Sequence, residues 1–454
     1  MVTSPSSPKF ALPEGKLLNV LGLAFGVCVT VGGTIGVGIL IQPGTVAKHL
    51  PNLWLFLASW LAGGLYVLLG AISVGELSAM IPRSGGFYVY VRRVLGTYPG
   101  FVTGWAQWLG MCCGGAFATM VLAKYTAMLV PAVAGWERVF AILTVIGFAA
   151  IQWRSVRDAG HLQVLSTVAK GVAFLALIGG FLVFGGSKSG PSPDPPLPEG
   201  WSLLAASVLA FQTILQTYDG WEGAIYFGEE IRDPGRSLPR SLIFGTTIII
   251  LVYFTMNLSL VCVLPLGRIA GHGFAVAGAA EEVFGTSGGT LIATLATFSI
   301  LVSCNAGTLQ VPRILYAMSC DGLFLSRASR VNPGGTPTVA LLLSTIAIVL
   351  FLVSGTFEEL LSVIAFFLVT NYALLFIALF VLRWQEPNAV RPYRAWGYPW
   401  TTTLALLGSL LYLGAAVYTD SIHSIYALML LLISYPIFIL SQRFGRLSAP
   451  AGIP

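Results

Sequence analysis

Charge is what this chain has least of: Asp, Glu, Lys and Arg make up 9% of 454 residues, against about 25% in soluble globular domains. That deficit, with 56% hydrophobic residues and a mean hydropathy of +0.84, excludes a water-soluble globule and predicts a polytopic membrane protein. The first residues, Met1 to Pro8, lack the charged start, short apolar core and cleavage site of a secretory signal, so the first helix is expected to act as the insertion signal. Cysteine is sparse and scattered, at positions 28, 112, 113, 262, 304 and 320, and implies neither a disulfide nor a metal framework. Histidines 49, 161, 272 and 423 stand apart, which supports neither a metal site nor a proton relay. A His-Glu-x-x-His helix, a P-loop and a Gly-x-Ser-x-Gly elbow are all missing, which argues against an enzyme and against ATP as a direct energy source. No cofactor is expected. No basic domain gathers the net charge of +6, so nucleic acid is not an expected partner.

Long apolar runs are what the chain has in abundance. About 20 helical residues cross some 30 Å of hydrocarbon, and twelve such runs lie near 18–44, 53–80, 97–130, 137–153, 160–184, 201–228, 238–264, 288–318, 337–355, 358–383, 402–419 and 423–442. The N-terminal tail and every second loop carry 18 of the 24 lysines and arginines, so both termini are expected in the cytoplasm. The same bias makes anionic membrane lipid the expected contact for the positive charge. Residues 1–15 read as a disordered tail, 443–454 as a second tail, and Gly185–Gly200, with five prolines, as an outer loop.

Two of the runs are broken by glycine at matching depth. Gly36, within Gly32-Gly33-Thr34-Ile35-Gly36-Val37-Gly38, lies eighteen residues after Leu18, and Asp219, within Tyr218-Asp219-Gly220-Trp221, lies eighteen after Trp201. Unwound backbone at bilayer depth survives only where it lines a cavity or ligand, and paired breaks in two halves point to a transporter's substrate site. The interval predicts an internal repeat, 16–184 against 201–383, with two further helices over 402–442. Freed N–H groups after the first break sit at a positive helix end and suit a carboxylate; Gly32 and Gly36, four apart, equally suit close helix packing. Asp219 is either a functional group at membrane depth or a helix cap. Lys170 lies ten residues into its span, hence about 15 Å along the helix, too deep to snorkel and penalised by roughly 2.5–3.5 kcal/mol on insertion. Asn305 either contributes to the pocket or makes a helix-to-helix hydrogen bond. Glu229, Glu230, Arg232, Asp233, Arg236 and Arg240 fall where the sixth span meets the cytoplasm and read as a solvated charge cluster or an inner gate, with Glu76 and Arg83 as candidate members.

Several motifs go beyond what composition requires. They are Gly33-Thr-Ile-Gly-Val-Gly-Ile-Leu, the run from Gly75-Glu-Leu-Ser to Gly86-Phe-Tyr-Val-Tyr, and Tyr218-Asp-Gly-Trp-Glu with Glu229-Glu230-Ile-Arg-Asp-Pro-Gly-Arg. Ser155-Val-Arg through Gln163 to Lys170, Arg313-Ile-Leu-Tyr-Ala-Met with Asp321-Gly-Leu, and Arg391-Pro-Tyr-Arg-Ala-Trp-Gly-Tyr-Pro-Trp follow in order. Together they resemble the amino acid–polyamine–organocation superfamily, closest to its L-type amino acid transporter branch, over residues from about 16 to 400.

The resemblance implies an all-α, twelve-helix membrane protein of leucine-transporter-like fold, two inverted five-helix repeats plus two C-terminal helices. It also implies secondary transport of an L-amino acid between helices 1 and 6 by alternating access; the lack of dedicated charges in the pocket-forming spans makes a neutral one the expected cargo. By resemblance, the backbone of Thr34, Ile35, Gly36, Val37 and Gly38 takes the carboxylate. Carbonyls around Tyr218, Asp219 and Gly220 take the ammonium, and Trp221 walls the side-chain pocket or the outer gate; Glu222, Glu230 and Arg83 are gate candidates. Lys170 resembles the lysine that replaces sodium in sodium-independent relatives, either as a proton-coupling group or as a fixed cation in an exchanger. Val37 stands where the family often has serine. Glu222 stands where it usually has a neutral polar residue, which keeps a cationic amino acid or polyamine open. Eukaryotic L-type relatives join a glycoprotein through a cysteine between the third and fourth spans; residues 131–138 have none, so a bacterial inner-membrane protein without a disulfide-linked heavy chain is expected. A transporter-like sensor, binding without flux, is the alternative of another class.

Overall fold

The computed structural model describes residues 16–186, 195–355 and 357–419, with a few positions between 429 and 439. Fifteen α-helices run through the described residues: α1 Leu23–Thr34, α2 Gly38–His49, α3 Leu53–Met80, α4 Phe87–Leu95, α5 Thr97–Leu129, α6 Glu137–Arg154, α7 Val156–Phe184 and α8 Trp201–Tyr218 come first. Then follow α9 Pro234–Val263, α10 Leu266–Ile269, α11 Ala275–Phe284, α12 Ser287–Cys320, α13 Thr338–Ser354, α14 Phe357–Gln385 and α15 Trp400–Thr419. Pairing outside helices is confined, among the described residues, to two isolated bridges, Leu21 with Ile231 and Ser84 with Phe227.

Local chemistry sets the ends. Asn52 opens α3 by accepting the Trp54 and Leu55 amides, each at 3.1 Å, which meets donors that a helix start leaves orphaned. Ser155, extended at φ −162°, separates α6 from α7 and caps the latter through the Asp158 amide. Gly96, at φ +105°, turns α4 into α5, a conformation glycine adopts without strain.

Seven of these helices are long and apolar enough to cross a membrane, and α1 with α2 makes an eighth span bent by 49°. Helix occupies each of the first eleven segments read from the sequence; most of the twelfth, 423–442, lies outside the described residues. The expected break at Tyr218–Trp221 ends the helix of its run. The run 201–228 holds helix only to Tyr218, after which the chain makes a single 3-10 turn, Gly223–Tyr226. The core gathers α1 against α7, α9 and α12, α3 against α9, and α5 against α12. Outside it, Leu165, Val172, Leu175 and Leu350 stand exposed, an apolar belt suited to lipid. Hydroxyl pairs fasten α3 along α15, Tyr66 to Ser409 at 2.7 Å and Ser73 to Thr402 at 3.0 Å.

Candidate functional site

The first break is three residues long. α1 ends at Thr34, Ile35 leaves the helical region at φ −70° and ψ 88°, and α2 resumes at Gly38. The glycines there do different work. A Cβ at Gly32 would collide with Thr167 Oγ1 and the Gln163 amide, and one at Gly38 would press Thr217 Cγ2 at 3.1 Å, so both permit close packing. A Cβ on Gly36 would be in ordinary contact with Thr34 O at 3.8 Å and Ser303 Oγ at 3.9 Å, so nothing crowds this position. It therefore leaves the N-terminal end of α2 approachable.

The second break lies directly on the first. Asp219 ends α8 in an extended conformation and Gly220 follows at φ +99°. A Cβ on Gly220 would sit 3.3 Å from Gly33 C, Thr34 N and Thr34 Oγ1, so the two segments cross backbone to backbone. Where they cross, Tyr253 Oη lies 2.9 Å from Thr34 O and 3.0 Å from Thr217 O. These are carbonyls of the last turns of α1 and α8, which no following helical amide satisfies. One hydroxyl proton serves one of them at a time.

Side chains around this crossing divide by role. Tyr218 turns into the core, its hydroxyl donating to Trp60 O at 3.3 Å, so only its backbone faces the break. Asp219 and Glu222 both accept from Tyr372 Oη, at 2.7 and 3.3 Å. Trp221 stacks on the same tyrosine with ring centroids 5.7 Å apart.

Lys170 is 1% exposed. Its ammonium donates to Gly32 O at 2.9 Å, to Ile35 O and to Ser299 O at 3.2 Å, and faces Ser303 Oγ at 3.4 Å. Three carbonyls match its three protons. Gly32 and Ile35 belong to the C-terminal, negative end of the half-helix α1, where a cation is favoured. Ser299 and Ser303, four apart on α12, donate to Ile35 O and Gly32 O, each at 3.0 Å. The break is therefore held by α7 and α12 together. Asn305 is used elsewhere: its Nδ2 donates to Gln163 Oε1 at 2.7 Å, and Gln163 in turn reaches Thr167, which donates to Cys28 O. Asn305 thus joins α12 to α7 and makes the helix-to-helix bond.

Glu230, Arg83 and Glu76 pair in three separate groups. Glu230 forms a two-pronged pair with Arg313 at 2.5 and 2.7 Å, both side chains almost wholly buried, and the guanidinium lies 4.3 Å over the Phe227 ring. Arg83 reaches Asp321 at 3.1 Å, where Tyr88 and Arg92 also bind. Glu76 holds Arg383, Arg391 and the Ala395 amide. The physical cause of the separation is backbone pairing: Leu21 N donates to Glu230 O and Arg232 N to Leu21 O, each at 2.9 Å, which turns Glu230 inward toward α12. Arg83 then meets the end of α12, and Glu76, inside α3, meets the end of α14. Sequence patterning does not single out Tyr253, Tyr372, Ser299 or Thr167; hydroxyls spaced four apart inside an apolar run, as at Ser299 and Ser303, are the one signal that marks any of them.

Two broken helices thus meet backbone to backbone, with a buried ammonium on the end of one. The family model for amino acid permeases matches residues 17–439. The chain belongs to this family. The permease is 29% identical over 436 residues to the serine/threonine exchanger SteT of Bacillus subtilis (strain 168), covering 94% of this chain and 97% of the relative. It is 26% identical over 387 residues to the human b(0,+)-type amino acid transporter 1, covering 84% and 79%. To the human large neutral amino acids transporter small subunit 2 it is 26% identical over 403 residues, covering 86% and 75%. The permease is thus a membrane protein among exchangers and transporters of amino acids.

Proposed function

We propose that this permease is a sodium-independent secondary transporter of neutral L-amino acids. It is read as a non-enzyme of the cell membrane, with both termini cytoplasmic, twelve spans and two inverted five-helix repeats. The observation that carries the reading is the crossing of the breaks at Gly33–Thr34 and Gly220. At that crossing the amides leading into α2, at Gly36, Val37 and Gly38, offer donors to a carboxylate. Carbonyls of the α8 end, from Tyr218 to Gly220, offer acceptors to an ammonium. An α-amino acid carries both groups on one carbon. Lys170 occupies the place of a coupling cation and ties α1 to α7 and α12. Rocking of the element that carries both breaks against the rest supplies alternating access. Serine and threonine, the cargo named for SteT, head the substrates to try.

Glu222, bonded beneath Tyr372 beside Asp219, favours a second reading, a cationic amino acid. Thermal-shift measurements of the purified permease against the twenty amino acids and common polyamines separate the two, because bound ligand stabilises by mass action. Uptake into proteoliposomes then tests transport. Tight binding without flux would make the protein a sensor.

A further inference from the structure

Gln310 is 6% exposed, and its amide makes no hydrogen bond to any described residue. The amide is not sealed off by protein, so it borders space in which water or a ligand can meet it. Its position says what. On α12, Ser303, Ala306, Gly307 and Gln310 recur at helical spacing and so share a face, and that face lies along the first break. The point where a Cβ on Gly33 would stand is 3.8 Å from Ala306 Cβ, 3.8 Å from Gln310 Nε2 and 3.9 Å from Gly220 O. A Cβ on Gly307 would meet nothing within 4 Å, and one on Gly223 would lie 2.8 Å from Gln310 Nε2. The small residues Ala306 and Gly307 thus leave room on α12, and Gln310 closes its end, between the two breaks.

We infer that Gln310 reads the side chain of the transported amino acid and selects those bearing a hydroxyl or a carboxamide. This rests on the transport reading above. The amino and carboxylate groups are met by backbone of the two breaks, which leaves the third substituent of the α-carbon to point along α12 between Ala306 and Gln310. An amide both donates and accepts, and hydroxyl and carboxamide groups answer both functions, whereas an aliphatic side chain leaves the amide unmet. Discrimination by an otherwise unpaired polar group is large compared with that by size alone.

The test is competition by unlabelled amino acids against uptake of labelled alanine, with full-length wild type and Gln310→Leu in proteoliposomes. Gln310→Leu is expected to weaken serine, threonine and asparagine by about tenfold relative to valine, the size of one neutral hydrogen bond. Gln310→Met, which keeps the length but removes the amide, is expected to give the same loss and supplies the ratio if the leucine variant does not fold. An unchanged ratio of polar to aliphatic competitors in both variants, or equal loss for every amino acid, overturns the inference while leaving transport intact. Wild type that binds no amino acid overturns the transport reading itself.

Discussion

Lys170 carries its charge at 1% exposure with carbonyl oxygens as its hydrogen-bond partners. Removing it takes a charged donor from the Gly32, Ile35 and Ser299 carbonyls, a hydrogen bond to a charged group being worth about 1.5–3 kcal/mol, a loss tempered by the Ser299 and Ser303 hydroxyls, which still serve Ile35 O and Gly32 O. Lys170→Ala is therefore expected to lower the melting temperature. If the ammonium also couples protons, the same variant abolishes uptake driven by an imposed pH gradient while leaving exchange of amino acid for amino acid. Unchanged gradient-driven uptake would reduce Lys170 to a fixed structural cation. Tyr372 is the other single side chain on which much depends, since one hydroxyl serves Asp219 and Glu222. Tyr372→Phe and Glu222→Gln are expected to be non-additive in thermal stability, as residues sharing one partner are; additive effects in a double-mutant cycle would mean that the contact at 3.3 Å carries no energy.

At the scale of elements, the breaks themselves are open to test. Gly220 sits at φ +99° with the first break at van der Waals range, so Gly220→Ala combines backbone strain of order 1–3 kcal/mol with displacement of the crossing. Binding of all amino acids should fall together, read by thermal shift. Gly36→Val should do the same by closing the open side of the first break, and selective loss for a few substrates would instead place side-chain recognition there. Both breaks are legible in the sequence because glycine interrupting an apolar run at membrane depth exposes backbone that something must satisfy, and Lys170 because one charge in a long apolar run is conspicuous. Tyr253 and Tyr372 are not legible. A tyrosine in a membrane span reads as an apolar residue, and whether its hydroxyl meets a broken helix depends on which faces of α9 and α14 turn inward, which periodicity alone does not decide. Asn305 is legible only as a pair of alternatives, settled by the position of Gln163 on α7. The three charge clusters look like one in the sequence because Glu230 and Arg232 are near neighbours along the chain, and only the pairing with Leu21 parts them.

For the whole molecule, the buried pair Glu230–Arg313 lies at the end that bears Asn19 and Arg83. Arg313→Met leaves an uncompensated carboxylate and is expected to cost about 3–5 kcal/mol, whereas the double replacement with Glu230→Leu recovers most of that stability. Melting curves of the wild type and the two variants check the order. If the pair also holds this end shut, the double variant gives faster labelling of a cysteine placed at Ala224 from that side; equal rates would make it a fastening without a gating role. The crossing at Gly33 and Gly220 carries a last consequence, for how such proteins diversify. In the transport reading proposed above, recognition of the part common to every amino acid falls to peptide groups, which each residue possesses, so substitutions around the crossing are expected to retune the cargo without erasing the ability to hold an amino acid at all. Redesign of this permease for a new cargo should therefore begin on α12 and leave the two glycines alone.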